Sequence, residues 1–222
     1  MKKLLAALAF CSMSSMTLAQ DFGKMLISGS ASFSTNKTEN VVTYGEMRST
    51  RFAISPSVGF FVNPKIAVGA YGSYSLNSAP FTLGQSSSGE YPIIENKISA
   101  YSFGSFARAY QPIGTKVAFF GQLSAFYTRS KTEYDEGELS SSLHFHETSS
   151  KGGGVTLSPG FVFFPSNSIG LECLLGSIAY SRMTSQIEKP VSSTVNNAFD
   201  VNIGLRGLSL GISLYLGRTT AE

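Results

Sequence analysis

The stretch that decides the fold is Tyr101–Thr128, YSFGSFARAYQPIGTKVAFFGQLSAFYT. Apolar and small polar side chains alternate along both of its arms. On the first arm one face carries Tyr101, Phe103, Ser105, Ala107 and Ala109, and on the second Val117, Phe119, Gly121, Leu123, Ala125 and Tyr127. Between the arms lies Gln111-Pro112-Ile113-Gly114, a compact turn. A two-residue period on both sides of a turn predicts two antiparallel strands joined as a hairpin.

The same period appears eight times between Met25 and Leu216. The connections between these segments alternate strictly between long and short. The long ones are 36–46, 78–95, 131–149 and 185–196, and the short ones lie near Asn63, Ile113 and Pro165. This pattern predicts an all-β fold, an eight-stranded antiparallel up-and-down transmembrane β-barrel. In the last strand the apolar residues change parity at Arg206-Gly207, which predicts a β-bulge.

The two faces of the predicted strands differ in polarity and size. One is built from Ile, Val, Leu and Phe, and the other mainly from Ser, Gly and Thr. Only 14% of the residues are charged, against about 25% in ordinary soluble domains. A soluble barrel would need a charged exterior, so the apolar face is expected to meet lipid. The polar face is expected to line a narrow lumen. Its expected charges are Arg51, Arg108, Glu172 and Arg206.

Arg108 and Glu172 are expected to form an ion pair inside the lumen, because they lie at similar depth near short turns. Aromatic residues cluster at both ends of the strands, which indicates two interfacial girdles. Those near the short turns are Phe60, Phe61, Tyr110, Phe119, Phe163 and Phe164. Those nearer the long loops are Phe33, Tyr74, Tyr101, Tyr127, Tyr180 and Phe199.

Residues 1–19 have the pattern of a cleaved signal peptide. Lys2 and Lys3 precede an apolar run, and Thr17-Leu18-Ala19 is a small-x-small cleavage site. Residues 20–222 are then expected to form one outer-membrane barrel domain. They hold 15 basic and 14 acidic residues, a balance that gives no basic footprint for nucleic acid.

Two stretches resemble the outer membrane protein beta-barrel domain family. Leu157-Ser158-Pro159-Gly160-Phe161-Val162-Phe163-Phe164, followed by Ile169-Gly170-Leu171-Glu172, is similar to its late hairpin. Leu208–Leu216, LSLGISLYL, is similar to its closing strand, although Leu216 stands where a terminal aromatic residue is usual. The resemblance implies a small barrel of the OmpA/OmpX kind in the outer membrane, and it transfers no catalytic residue.

The third long loop holds the residues best suited to chemistry. His144 and His146 lie beside Glu147, which could bind a transition metal, and Ser149 and Ser150 could join them in a hydrolytic site. Proximity within a loop is poor evidence for such a triad. We therefore expect a solvated loop, with no metal, no cofactor and no enzymatic activity.

The function expected from the sequence is a structural or surface-interaction role through the four long loops. The alternatives are a narrow pore and a lipid-modifying enzyme. Eight strands leave little room for an aqueous channel, since open channels typically have about 16. The expected partners are outer-membrane lipid and external molecules that contact the loops, and the chain is expected to be a monomer.

Overall fold

The computed structural model describes residues 20–40, 45–82, 93–135, 147–187, 192–203 and 209–220. The predicted signal peptide lies outside this set. Within the described residues, no helix is long and apolar enough to cross a membrane.

The described residues form twelve strands. The two shortest, β1 (Gln20–Asp21) and β12 (Thr219–Thr220), pair with each other at the ends of the chain. The other strands are β2 (Met25–Asn40), β3 (Gly45–Asn63), β4 (Ile66–Thr82), β5 (Ile93–Pro112), β6 (Val117–Asp135), β7 (Thr148–Phe163), β8 (Ile169–Leu174), β9 (Gly176–Ile187), β10 (Ser192–Ile203) and β11 (Ser209–Leu216).

These ten longer strands make the eight strands of a barrel. We call each of the eight a stave, because two of them are divided into two segments. Strands β2 to β7 each pair antiparallel with the next. The seventh stave is divided into β8 and β9, which both pair with β7. The eighth is divided into β10, which pairs with β9, and β11, which pairs with β8. The predicted eight-stranded antiparallel barrel is therefore confirmed.

The ring closes where β11 pairs with β2, from Met25 opposite Leu216 to Gly29 opposite Ile212. This closure lies in the half of the barrel that carries the short turns. In the loop-side half, the described part of β2 beyond Gly29 pairs with β3 alone and β10 pairs with β9 alone.

The seventh stave changes parity at Leu175. Before this residue, Leu171 is exposed and Glu172 is buried, whereas after Gly176 the exposed side chain is Tyr180. Gly176 has a φ of 123°, a conformation that favours glycine. Ala179 therefore lies on the lumen side, opposite Thr156. The bulge predicted at Arg206-Gly207 lies outside the described residues.

The strands extend much further than the sequence predicted. Half of the residues in the predicted loops 36–46, 78–95, 131–149 and 185–196 are strand, and the residues that lie between the strands along the sequence are 41–44, 83–92, 136–147 and 188–191. The prediction followed the hydrophobic alternation, which ends where lipid ends. The backbone ladder does not depend on apolar side chains, so pairing continues past that level.

A band of exposed apolar side chains surrounds the barrel. Among its members are Ile54, Val58, Val68, Leu123, Val155, Leu157, Leu171, Leu210, Ile212 and Leu214. The expected loop-side aromatic residues are all exposed, with Phe33 and Phe199 each at 70%. On the turn side Phe60, Phe119 and Phe163 are exposed, but Phe61, Tyr110 and Phe164 point inward. The last three do not belong to a girdle, because their parity faces the lumen.

Candidate functional site in the barrel lumen

The lumen contains an ion pair between Arg108 and Glu172. Nη1 of Arg108 donates to Oε1 of Glu172 at 2.6 Å, and the two side chains are only 6% and 9% exposed. Register places Arg108 opposite Ala67 on β4 and Gln122 on β6, and Glu172 opposite Val162 on β7. The structure thus brings together two residues from strands that are not neighbours.

Polar side chains from two further strands complete this network. Nε of Arg108 donates to Oε1 of Gln122 at 2.8 Å, and Nη1 also lies 3.2 Å from the hydroxyl of Tyr110. The hydroxyl of Tyr215 donates to Oε1 of Glu172 at 3.0 Å and lies 3.1 Å from that of Tyr110. The Arg108 guanidinium also lies 4.4 Å from the centre of the Phe120 ring, where a cation–π attraction is expected.

Between the network and the short turns, aromatic rings fill the lumen. We call this cluster the aromatic plug; it consists of Phe22, Phe61, Tyr110, Phe164 and Tyr215. Phe22 stacks on Tyr110 with ring centres 4.5 Å apart, and Phe164 meets Tyr215 edge-on at 5.0 Å. Phe22 and Tyr215 are fully buried. Because interiors pack at the density of organic crystals, this cluster closes the turn end of the lumen.

The ends of the chain hold the plug in place. Gly23 has a φ of 99°, and an added Cβ there would lie 2.5 Å from the carbonyl oxygen of Leu216. This tight glycine turn lets the chain lead Phe22 into the barrel before β2 begins. From the other end, the Arg218 guanidinium lies 3.7 Å from the centre of the Phe164 ring and donates to the carbonyl of Thr115 at 2.8 Å.

A cavity of about 160 Å³ with both polar and apolar walls adjoins the network. Serines of β2 and β3 line one wall, and Arg108, Gln122 and Glu172 line another part. Ser28 and Ser57 bond to each other across this wall at 2.6 Å. A cavity of this size with several polar groups in its walls holds ordered water readily.

The other predicted site residues do not join this network. Arg51 faces the lumen by register but is exposed, and no partner is described for it. Arg206, His144 and His146 lie outside the described residues, so their predicted roles stay predictions. In the described part of the chain, no group of three His, Cys, Asp or Glu side chains could hold a metal ion.

Sequence reasoning missed Phe22 and Tyr215. Phe22 precedes the first alternating segment, so no period placed it on a face. Tyr215 stands at a lumen-facing position of the closing strand, opposite Leu26. Its parity with Ser213 and Gly211 was the signal that could have placed it inside.

A second charged group lies at the loop-side rim. Nζ of Lys131 contacts Oε1 of Glu133 and Oε2 of Glu147, each at 2.8 Å. These residues lie beyond Tyr127, on the loop side of the aromatic girdle. The hydrogen bond to Glu133 and then that to Glu147 raise the pKa of Lys131, and the same contact lowers the pKa of Glu133.

The polar groups of the described lumen residues bond largely to one another. The lumen carboxylate is paired with arginine, the tyrosine hydroxyls bond to each other and to the ion pair, and the hydroxyls of Ser28 and Ser57 bond to each other. Catalysis would require a nucleophile, a base and an orienting group around an accessible space. The described lumen side chains do not form such a set.

No family model matches the chain, and no curated relative matches it. The structure is similar to Neisserial surface protein A, at 11% identity and a TM-score of 0.45, covering 86% of this chain and 97% of that chain. It is also similar to Ail, the attachment invasion locus protein of Yersinia pestis, at 15% identity and a TM-score of 0.32, covering 89% and 99%. A nanodisc structure of the same Yersinia pestis outer membrane protein gives 16% identity and a TM-score of 0.24. Identities in this range concern the fold alone.

Proposed function

We propose that this chain is an integral outer-membrane barrel that acts at the cell surface through its loop end and does not conduct solutes. This proposal rests on the combination of an apolar exterior with a filled lumen. Both belong to the described residues, and each supports a different part of the proposal.

The exterior supports insertion into a membrane. The exposed apolar band would be unfavourable in water, because soluble monomers rarely expose contiguous apolar patches larger than a few hundred Å². The loop-side girdle bounds the band with exposed aromatic rings, which favour the membrane–water interface. A barrel pairs its backbone groups between strands, as a spanning structure in lipid must.

The lumen supports a barrel that is closed to solutes. Passage from the cavity to the turn end would require displacement of the ion pair and then of the aromatic plug. Phe22, Tyr110, Phe164 and Tyr215 are each no more than 3% exposed. The narrow-pore alternative therefore lacks a path through the described residues.

The exterior contacts lipid and the lumen is filled, so the loop end is the part of the barrel that can bind external partners. Long paired strands lead to the connections 83–92 and 136–147. The composition of these connections is polar, with Ser, Gly and Glu in the first and Glu, Ser and His in the second. We propose that they contact external partners and that His144 and His146 are solvated loop residues, not part of an enzyme.

Membrane insertion is tested by cell fractionation and gel mobility. The purified chain is expected to start at Gln20 and to remain in outer membranes through a carbonate wash. Its mobility in SDS without heating should differ from that of the boiled sample, because a hydrogen-bonded barrel resists SDS. Recovery of the folded protein from the soluble periplasm would overturn the proposal.

Closure of the lumen is tested by conductance in planar bilayers. The native chain should give no steady conductance, and a variant that removes both barriers, with Phe22→Ala and Phe164→Ala in the plug and Arg108→Ala and Glu172→Ala in the ion pair, should conduct. Phe60→Ala with Phe163→Ala is the matched control, because these two rings face outward at the same end and their loss should not open the lumen. A native chain with stable open channels would contradict the closed state.

A further inference from the structure

The outward face of β6, β7 and β9 carries a group of cations at the loop-side rim. We call Arg129, Lys151 and Arg182 the cationic patch. Arg129 pairs directly with Lys151 in the β6–β7 register, and Arg182 pairs with Gly153 in the β7–β9 register. All three are exposed and share their parity with the exposed girdle residues Tyr127 and Tyr180. The patch therefore faces away from the lumen.

The centre of the patch has no side chain. Gly153 lies on the outward face between Tyr127 on β6 and Arg182 on β9, and it is two residues from Lys151 on β7. Directly opposite residues in a sheet have Cβ atoms about 5 Å apart and diagonal neighbours about 7–8 Å. The three cations thus surround a notch over Gly153, within reach of one anionic group.

The patch is not neutralised by the described part of the chain. No ion pair or side-chain hydrogen bond is described for Arg129, Lys151 or Arg182. The neighbouring acids Glu133 and Glu147 both contact Lys131. Like charges placed directly opposite in a sheet are destabilising, so Arg129 opposite Lys151 is a cost that a bound anion would offset.

The depth of the patch indicates where the anion comes from. Along β6, Arg129 follows Tyr127 by two residues, and along β9, Arg182 follows Tyr180 by two. Interfacial aromatic rings lie at the level of lipid headgroups. The patch is therefore at, or just beyond, the headgroups of the loop-side leaflet, on the face that meets lipid.

We propose that the cationic patch binds the phosphate groups of a phosphorylated glycolipid in the outer leaflet. Guanidinium groups fit phosphate oxygens with paired hydrogen bonds, and lysine adds a point charge. A concavity that includes Arg129 is also lined by Tyr101, Ser130, Lys131, Glu147, Thr148 and Ser149, and it offers space for sugar next to the phosphate. The Glu147 carboxylate in this concavity is paired with Lys131. This inference rests on the proposed function for its assignment of the loop end to the outer leaflet.

The test uses the full mature chain, refolded in detergent micelles that contain bisphosphorylated lipid A. Bound lipid is measured by native mass spectrometry. The triple variant Arg129→Gln, Lys151→Gln, Arg182→Gln should bind at least tenfold more weakly. The matched control removes three cations at the turn end, Lys24→Gln, Lys65→Gln and Lys116→Gln, and should bind like the native chain.

Removing the phosphates from the lipid should weaken binding to the native chain as much as the triple variant does. Equal binding by the native chain and the triple variant, or equal binding of phosphorylated and dephosphorylated lipid, would overturn the proposal. So would a triple variant that loses a soluble sulfated polysaccharide but keeps the lipid, since the patch would then serve an external polyanion. A chain that never inserts into bilayers would instead refute the proposed function.

Discussion

The ion pair in the lumen allows a quantitative prediction. We consider Arg108→Met, Glu172→Gln and the double variant, which replace charges by side chains of similar size. The single changes each leave one buried group without its charged partner. The double variant removes both charges, so the penalty for an unpaired buried charge disappears.

The expected size follows from the burial and the remaining partners. Removing one member of a buried ion pair typically costs about 3–5 kcal/mol. After Arg108→Met, the donor that Glu172 keeps among the described residues is the hydroxyl of Tyr215, so we expect a cost near the upper end of that range. After Glu172→Gln, Arg108 keeps Gln122 and Tyr110, and we expect a cost near the lower end.

The measurement is the free energy of unfolding in urea, with the chain folded into lipid vesicles. The double variant should cost less than the sum of the two single variants by at least about 1 kcal/mol, within the range seen for residues in one network. Arg51→Met is the control, since Arg51 also faces the lumen but is exposed; its effect should be within about 0.5 kcal/mol. Strictly additive effects of the two single changes would refute the reasoning.

Three further predictions concern other parts of the barrel. Tyr215→Phe removes a donor to a buried carboxylate and should lower the unfolding free energy in urea by about 1.5–3 kcal/mol; no change would show that this bond is not formed in the membrane. Gly152→Val should lower the urea midpoint of unfolding, because a Cβ at this position would lie 2.1 Å from a backbone oxygen of β9. Gly121→Ala is the control and should leave the midpoint unchanged, because no atom lies within 4 Å of a Cβ there. Equal midpoints for the two variants would contradict the described packing. An epitope tag within 136–146 should bind antibody on intact cells and one at Asn63 should not, and surface labelling at Asn63 would mean that the barrel is inverted.

The strand count and the ion pair could be predicted from the sequence because both depend on parity. Each stave between the girdles meets two different environments, so its side chains must alternate between lipid and lumen. Arg108 and Glu172 stand on the lumen side of their strands, and a narrow lumen brings such long side chains together. The alternation of side chains along a strand therefore predicts which residues face the lumen without any knowledge of distant contacts.

The plug and the strand ends could not be predicted in this way. Phe61, Tyr110 and Phe164 were placed in a girdle because their position along the chain matched it, whereas their parity faces the lumen. Phe22 depends on a turn at Gly23 that lies outside any alternating segment. Beyond the lipid both faces of a strand meet water, so alternation stops there although the backbone pairing continues.

The long paired strands extend the barrel wall far toward its loop end. A stave crosses the bilayer with about 9–11 residues, and β6 has 19. From Tyr127 to Asp135, at about 3.4 Å per residue and a tilt of about 40°, β6 rises roughly 20 Å, and it is paired with β5 over this whole length. In the orientation proposed above, Asp135 is thus held at the height of the surface sugars by backbone hydrogen bonds to β5. A partner would bind a surface whose position is already fixed. Little conformational entropy of these strands would therefore be lost on binding.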